Sequence, residues 1–453
     1  MWGFFIIFAR IIVKWQMRRT LYLVLIALSV CLGLKGQTEG GGIVASLLTC
    51  SPGTEVYSLY GHTGLRMKDT RKNLDLVFNY GVFDFRRPHF VWYFMLGECD
   101  YEVCPIPSDI FMQEYERRGS SVTEQRLNLT PGEAERLMSQ LVLNCQPENR
   151  VYRYNFLTNN CTTKARDQIE QAVDGTVVYE EAGEHPTYRT LLHRYTEANP
   201  WVEAGCDLLL GAACDTVLSD RAAQFLPEQL MAYFGQAQIF DSLNNRRPLV
   251  AETVTLIREN KSRQSALVAE ASKGTDQIPF VGPWASSLPT PLVLSVAVLG
   301  VCLLVLLLEY LCRRMFWGFD IVVMTLQGLV GGFLCFMFLC SEHPTLDSNW
   351  QIVAFNPLPL LCIPWVVRCA VRRKVCLYHY VAFLWLVLFL VFMPWLPQTF
   401  SVLTLPLALA LLTRPMSYLL YYNRKDSKVL KDPKEPSNKK SKKLTIRPRN
   451  TEY

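Results

Sequence analysis

The stretch Tyr154-Asn-Phe-Leu-Thr-Asn-Asn-Cys161-Thr-Thr-Lys-Ala-Arg-Asp-Gln-Ile169 sets a cysteine directly after an aromatic run and two asparagines. From Thr162 onward, Ala165, Ile169 and then Ala172 or Val173 recur at helical spacing. Asn159 or Asn160 is a natural N-cap, so Cys161 falls in the first turn of the predicted helix. Backbone N–H groups and the helix dipole stabilise a thiolate at such a place. With a base nearby the thiol is a nucleophile; without one it is a small buried side chain.

The segment before it reads as strands. Glu55-Val-Tyr-Ser-Leu-Tyr-Gly-His62-Thr-Gly-Leu-Arg66-Met67 alternates so that His62, Gly64 and Arg66 share one face, and Leu74–Tyr80 predicts a second strand closed by Gly81. Strand character continues over Phe90–Leu96 and Asp100–Val103. Thr130, Pro131 and Glu133 form a helix-start signature, with the helix running to about Leu143. Val151–Phe156 is a short strand leading into the Cys161 helix. Tyr179–Val250 reads as helical packing around that unit, and Ser262–Gly282 as a polar linker.

A thiol hydrolase of the papain type needs a cysteine at a helix start, a histidine on a neighbouring strand, and a polar group that orients the imidazole. His62 is the strand-borne candidate base, flanked by Gly61 and Gly64, whereas His89 follows Arg86-Arg87-Pro88 in a turn. Asn79 or Asp84 is the candidate orienting group, with Asn79 preferred. The backbone N–H of Cys161 is the expected oxyanion donor. Arg66, on the His62 face, is either a contact for a phosphate head group or an ordinary ion pair. No Gly-x-Ser-x-Gly elbow occurs, no cofactor is expected, and Cys99 and Cys104 lack partners at zinc spacing. Of the chain's 15 cysteines, Cys50, Cys99, Cys104, Cys145, Cys161, Cys206 and Cys214 fall between residues 38 and 285, an odd number that leaves at least one of them unpaired within that region; Cys161 is the expected free one, and disulfides among the others stay open.

Hydrophobicity is segregated along the 453 residues, whose mean hydropathy is +0.13. Residues 1–36 combine an amino-terminal extension with Met17–Leu34, which has the shape of a secretory signal peptide or an uncleaved anchor. Residues 37–285 predict one external domain. Within 288–422 five apolar runs follow: Pro291–Leu311, Phe319–Leu339, Ile352–Val371, Leu377–Trp395 and Phe400–Tyr421. Arg313-Arg314, the basic cluster Arg368–Lys374 and the tail 423–453 follow the odd-numbered runs, which predicts a cytoplasmic carboxyl terminus. The tail carries 11 Lys and Arg against 4 Asp and Glu from Arg424 onward, so the net charge of +6 is local to it and no nucleic-acid-binding surface is expected. His343, in the external loop between the second and third runs with Asp347 and Asn349, is a candidate for seating a head group or an amine.

Tyr60-Gly-His62-Thr-Gly-Leu-Arg66, Phe78-Asn-Tyr-Gly-Val-Phe-Asp-Phe85 and Asn159-Asn-Cys161-Thr-Thr-Lys-Ala-Arg-Asp167 resemble the circularly permuted NlpC-type or LRAT-like branch of the papain superfamily. More narrowly, with Phe225-Leu-Pro-Glu-Gln-Leu230, they resemble the Lnb amino-terminal periplasmic domain of Bacteroidota. The resemblance implies an α+β, papain-like periplasmic domain followed by a five-helix transmembrane domain in the bacterial inner membrane. It implies a lipoprotein N-acyltransferase: Cys161 would take a fatty acyl chain from a phospholipid donor as a thioester and pass it to the amino-terminal amine of a diacylglyceryl-cysteine lipoprotein. Tyr60 and Asn160, within these motifs, would join Arg66, His343 and Asn349 in binding substrate. The alternative is a membrane-anchored cysteine peptidase or amidase acting on peptidoglycan.

Overall fold

The computed structural model describes residues 42–55, 58–83, 89–180, 186–271, 288–372 and 374–431. The expected amino-terminal extension with its signal peptide or anchor, and Asp84, lie outside them.

The external part is built on a seven-stranded antiparallel sheet. In chain order its strands are β1 (Ile43–Cys50), β2 (His62–Asp69), β3 (Leu74–Val82), β4 (Asp100–Pro107), β5 (Val122–Leu127), β6 (Val151–Arg153) and β10 (Val250–Ile257). They lie in the order β10-β5-β1-β2-β3-β4-β6. A small second sheet joins β7 (Thr176–Val178), β8 (Gln238–Phe240) and β9 (Arg246–Pro248). The helices are α1 (Phe90–Leu96), α2 (Ser108–Arg118), α3 (Pro131–Asn144), α4 (Cys161–Ala172), α5 (Tyr188–Thr196), α6 (Pro200–Leu209), α7 (Pro227–Gln236) and α8 (Lys261–Ala271).

Alternation along the central strands sends side chains to both faces. Leu47, Leu65, Met67 and Phe78 meet Leu137 and Leu141 of α3, Ile169 of α4, and Leu230 and Phe234 of α7. On the other face Leu48, Val77 and Val122 pack on Phe111 and Tyr115 of α2. The α3 start has the expected capping box, with Thr130 accepting from the Glu133 N–H and Glu133 from the Thr130 N–H.

Three segments differ from the sequence expectation. Phe90–Leu96 is the helix α1 rather than a strand. The strand expected from Glu55 begins only at His62, after Gly61 turns the chain at φ 74°. The start of the expected linker is helix α8 to Ala271, and its remainder lies outside the described residues. No disulfide joins the described cysteines.

The carboxyl half contains α9 (Pro291–Cys312), α10 (Trp317–Cys340), α11 (Leu358–Val371, preceded by the turn Gln351–Ala354), α12 (Leu377–Phe392) and α13 (Thr404–Lys431). Among the described residues, four spans are long and apolar enough to cross a bilayer: α9, α10, Gln351–Val371 and Leu377–Trp395. The fifth apolar run lies in α13, where Thr413, Arg414 and Ser417 interrupt it.

The external domain rests on the bundle end where α10 and α12 finish. Gly211 N–H donates to the Thr345 carbonyl (2.8 Å) and Ala212 N–H to the Ser348 carbonyl (3.0 Å). A Cβ on Gly211 would lie 2.5 Å from the Ser348 carbonyl carbon, so only glycine permits this approach. Asn349 Nδ2 donates to the carbonyls of Leu208 (2.8 Å) and Leu209 (3.1 Å), and Gln398 Nε2 to that of Leu210 (3.3 Å). Behind this contact, buried Arg189 pairs with Asp207 (2.7 Å) and Asp215 (2.9 Å) and stiffens the segment that makes it.

Candidate active site

Three elements converge on Cys161. Asn160 caps α4, its Oδ1 accepting from the Thr162 N–H (2.8 Å) and the Thr163 N–H (2.9 Å). The Cys161 N–H, at the first helical position, is left outside that cap and remains an oxyanion donor candidate. Strand β2 packs against this helix start through Thr63 Oγ1 and Thr162 Oγ1, 3.1 Å apart. That contact brings His62 and the Thr63 N–H close enough to the thiol to act on its charge.

Antiparallel pairing sets Asn79 of β3 beside β2. Asn79 Oδ1 lies 2.8 Å from His62 Nε2 and accepts from the Gly81 N–H at 2.8 Å. A backbone N–H only donates, so the Asn79 oxygen faces this way and His62 Nε2 must carry a proton. In the neutral ring Nδ1 is then the basic nitrogen, and it is the one left to the Cys161 thiol. A Cβ on residue 81 would stand 2.5 Å from His62 Cε1, so Gly81 makes room for the ring. On its other side His62 stacks on Tyr115, centroids 6.4 Å apart and planes 8° from parallel.

Burial works to raise the Cys161 pKa, but the charge and hydrogen bond of His62, the Thr63 N–H and the Thr162 hydroxyl outweigh it and hold the thiol below its ordinary value. Burial works in turn to lower the His62 pKa, and the Cys161 charge and hydrogen bond, with Asn79, lift it above the ordinary imidazole value. The pair therefore favours thiolate and imidazolium. Buried Cys50, Cys145 and Cys214 and half-buried Cys206 move the other way: burial pushes Cys145 up to about 12 and Cys214 up to about 11, and raises Cys50 and Cys206.

The thiol opens into a cavity of about 290 Å³ lined by Tyr60, Phe83, Tyr101, Tyr154, Phe156 and Phe225 on its aromatic side. Ser51, Ser58, Ser120 and Arg118 give it a polar side. Among its described lining residues Arg118 is the one with a fixed charge; its Nε donates to Glu114 at 2.8 Å.

The expected substrate-binding residues divide. Tyr60 lines the cavity, packed on Phe156 at 4.8 Å. Arg66 is an ion pair instead, donating to Asp75 (2.6 and 2.8 Å) and Glu124 (3.2 Å) away from the cavity. Asn160 is buried at 4 % exposure, and its Nδ2 donates to the carbonyls of Phe156 (2.7 Å) and Phe225 (2.9 Å), so its amide is committed to the protein. His343 Nε2 donates to the Phe94 carbonyl at 2.9 Å, and Asn349 is committed to Leu208 and Leu209, so both serve the contact between the two halves. Sequence reading missed Arg118 and Tyr115, which no motif marks and which only the packing of α2 brings in, and gave no role to Tyr154, which opens the stretch leading to Cys161.

Among the described residues one metal-sized group is present: ligand atoms of His193, Glu203 and Asp207 lie within 4.8 Å of one another. Asp207 Oδ1 already binds Arg189 (2.7 Å) and His193 (2.9 Å), and Glu203 binds Thr196 (3.2 Å), so these residues satisfy one another.

No curated protein and no solved structure matches the chain. Residues 35–194 match the Lnb N-terminal periplasmic domain and residues 284–426 the Lnb transmembrane domain, together about two thirds of its length. With both of that family's domains present in order, and the thiol, imidazole and amide gathered within the first, the chain belongs to the Lnb family of membrane proteins with a periplasmic amino-terminal domain.

Proposed function

We propose that the protein is a lipoprotein N-acyltransferase that works through a Cys161 thioester, on a domain of permuted papain-like type carried by five membrane spans with a cytoplasmic carboxyl terminus. The observation that carries this reading is the Cys161–His62–Asn79 arrangement at an aromatic-lined cavity, in a domain seated on apolar spanning helices. Family membership supports lipoprotein N-acylation as the biological role.

The Cys161 thiolate attacks the acyl ester carbonyl of a phospholipid, and the oxyanion is met by the Cys161 N–H. As the C–O bond breaks, the His62 imidazolium gives its Nδ1 proton to the leaving alkoxide, releasing lysophospholipid and leaving the thioester. The α-amine of a diacylglyceryl-cysteine lipoprotein then attacks. His62 Nδ1 takes the amine proton, the C–S bond breaks, and the amide product leaves a thiolate. On this reading the donor's phosphate faces Arg118, and the aromatic lining keeps water from the thioester.

The test is mass spectrometry of lipoprotein amino termini from cells whose only copy is Cys161→Ala. Loss of the third acyl chain is expected. Unchanged N-acylation overturns the reading, and altered peptidoglycan fragments beside intact lipoproteins support the hydrolase alternative.

A further inference from the structure

Helix α1, Phe90-Val-Trp-Tyr-Phe-Met-Leu96, contains no charged residue and no polar one beyond the Tyr93 hydroxyl. A surface helix of a soluble domain needs a polar face, and a helix apolar all round is normally buried in protein or in lipid. This one is not buried in protein: Trp92 is 48 % and Phe94 39 % exposed.

Its attachments lie with the membrane half. Trp92 stacks on Phe336 near the end of spanning helix α10, ring centroids 5.1 Å apart. The last carbonyls of α1 are taken by the residues that follow α10. The Phe94 carbonyl accepts from His343 Nε2 (2.9 Å), the Met95 carbonyl from Ser341 Oγ (2.8 Å) and the Leu96 carbonyl from the Glu342 N–H (2.8 Å). Arg153 of β6 adds an ion pair to Glu342 at 3.5 Å. Gly97 ends α1 at φ 80°, and a Cβ there would lie 3.2 Å from the His343 nitrogen.

The exposed face of α1 therefore continues the exposed apolar surface of α10, which includes Phe333, Phe338 and Leu339. Trp350 and Trp395 are also exposed on the two loops at this bundle end. Exposed tryptophans at one level mark the boundary between bilayer core and water.

We infer that α1 is an in-plane bilayer helix, with Trp92 and Phe94 in lipid at the external leaflet, and that it seats the Cys161 cleft at the membrane surface. The occupant of its exposed face is lipid, because that face is continuous with spanning helices. The helix follows β3, the strand of Asn79, and Phe83 at that strand's end lines the cleft. At about 290 Å³ the cleft is at the small end of the range for pockets that enclose a drug-sized ligand. A two-chain donor must leave most of its length outside, and α1 keeps that length in lipid. This delivery role rests on the acyl-transfer reading; the lipid contact does not.

The test places the photo-cross-linker benzoylphenylalanine at Trp92 and, as control, at Leu143, an exposed apolar residue of α3. Irradiation of the full chain in native membranes is expected to give phospholipid adducts at 92 and none at 143. No lipid adduct at 92, or adducts with protein only, overturns the inference. For delivery, Trp92→Gln with Phe94→Gln is expected to slow Cys161 acylation from vesicle phospholipid at least tenfold while leaving its alkylation by iodoacetamide unchanged. Unchanged acylation overturns the delivery role. A wild-type chain that never forms the thioester defeats the acyl-transfer reading, and the cross-link still decides the helix.

Discussion

His62 Nε2 and Asn79 Oδ1 stand 2.8 Å apart, and the Gly81 N–H holds the same oxygen from the other side. The amide thus fixes both the ring's orientation and its tautomer, through an acceptor alone. Asn79→Ala should lower kcat by about 10²-fold, within the range of general acid–base effects, with the thiol still present by titration. Asn79→Asp keeps an acceptor for both donors and should retain activity within about tenfold of wild type. Its added negative charge should move the His62 limb of the pH profile upward. Equal losses in both variants would show that Asn79 acts only as structure.

Gly81 is required by space rather than by backbone conformation. A Cβ there meets His62 Cε1 at 2.5 Å and Asn79 Oδ1 at 3.2 Å, so what it displaces is the imidazole and the amide that orients it. Gly81→Ala should turn the ring away from Cys161 and reduce thioester formation by tenfold or more, while thermal unfolding shifts by about 1 kcal/mol. Activity loss matched by global unfolding would point to the strand instead.

The pH dependence follows from the two opposed shifts. Cys161 is held below its ordinary value, so as pH falls through that lowered value the thiolate is lost and alkylation slows. His62 is held above its ordinary value, so as pH rises through it the imidazolium that protonates the leaving group is lost. Acyl transfer should therefore be bell-shaped, whereas iodoacetamide alkylation shows the acid limb alone. His62→Ala should move that acid limb up towards the ordinary thiol range. An unchanged limb would separate the imidazole from thiol activation.

The placement of Cys161 at a helix start and of His62 on a strand was legible because each leaves local marks: an Asn cap before Cys161, and alternation around His62. Strand β1 was not. Ile43-Val-Ala-Ser-Leu-Leu-Thr-Cys50 lies between helices on both faces of the sheet, so its buried side chains carry no alternation. Helix α1 misled for a different reason. Its aromatic and Val residues favour strands locally, and the spanning helix that fixes it as a helix lies some 240 positions further on. Arg66 and Arg118 make the same point about the site. Arg66 stands in a candidate motif and Arg118 in none, yet the fold pairs Arg66 with Asp75 and sets Arg118 in the cavity wall.

Asn160 illustrates how a motif residue can serve position alone. Its oxygen caps α4 and its amide N–H groups hold Phe156 and Phe225, so Asn160→Ala removes a cap and strands two carbonyls in a buried site. A loss of about 2–4 kcal/mol is expected. At a temperature where the variant stays folded, KM for donor should change little while Cys161 reactivity falls. A large rise in KM with unchanged stability would restore a role in substrate binding.

In the membrane half, the last helix depends on a charge cluster. Arg414 of α13 donates to Glu309 of α9 (2.8 and 2.9 Å) and to Asp320 of α10 (2.6 Å), and Ser417 Oγ donates to Glu309 at 2.5 Å. All three charged groups are buried, at 5 % exposure or less. Arginine alone costs α13 its apolar continuity, but paired with two carboxylates it fixes where α13 sits against α9 and α10. Arg414→Ala leaves two carboxylates uncompensated and should destabilise the bundle by about 3–5 kcal/mol. Arg414→Ala combined with Glu309→Gln and Asp320→Asn should recover much of that loss, because no unpaired charge then remains buried. Thermal unfolding of the three proteins in one detergent measures both. A triple variant no more stable than Arg414→Ala would mean that packing, rather than the charge pairs, holds the last helix in place.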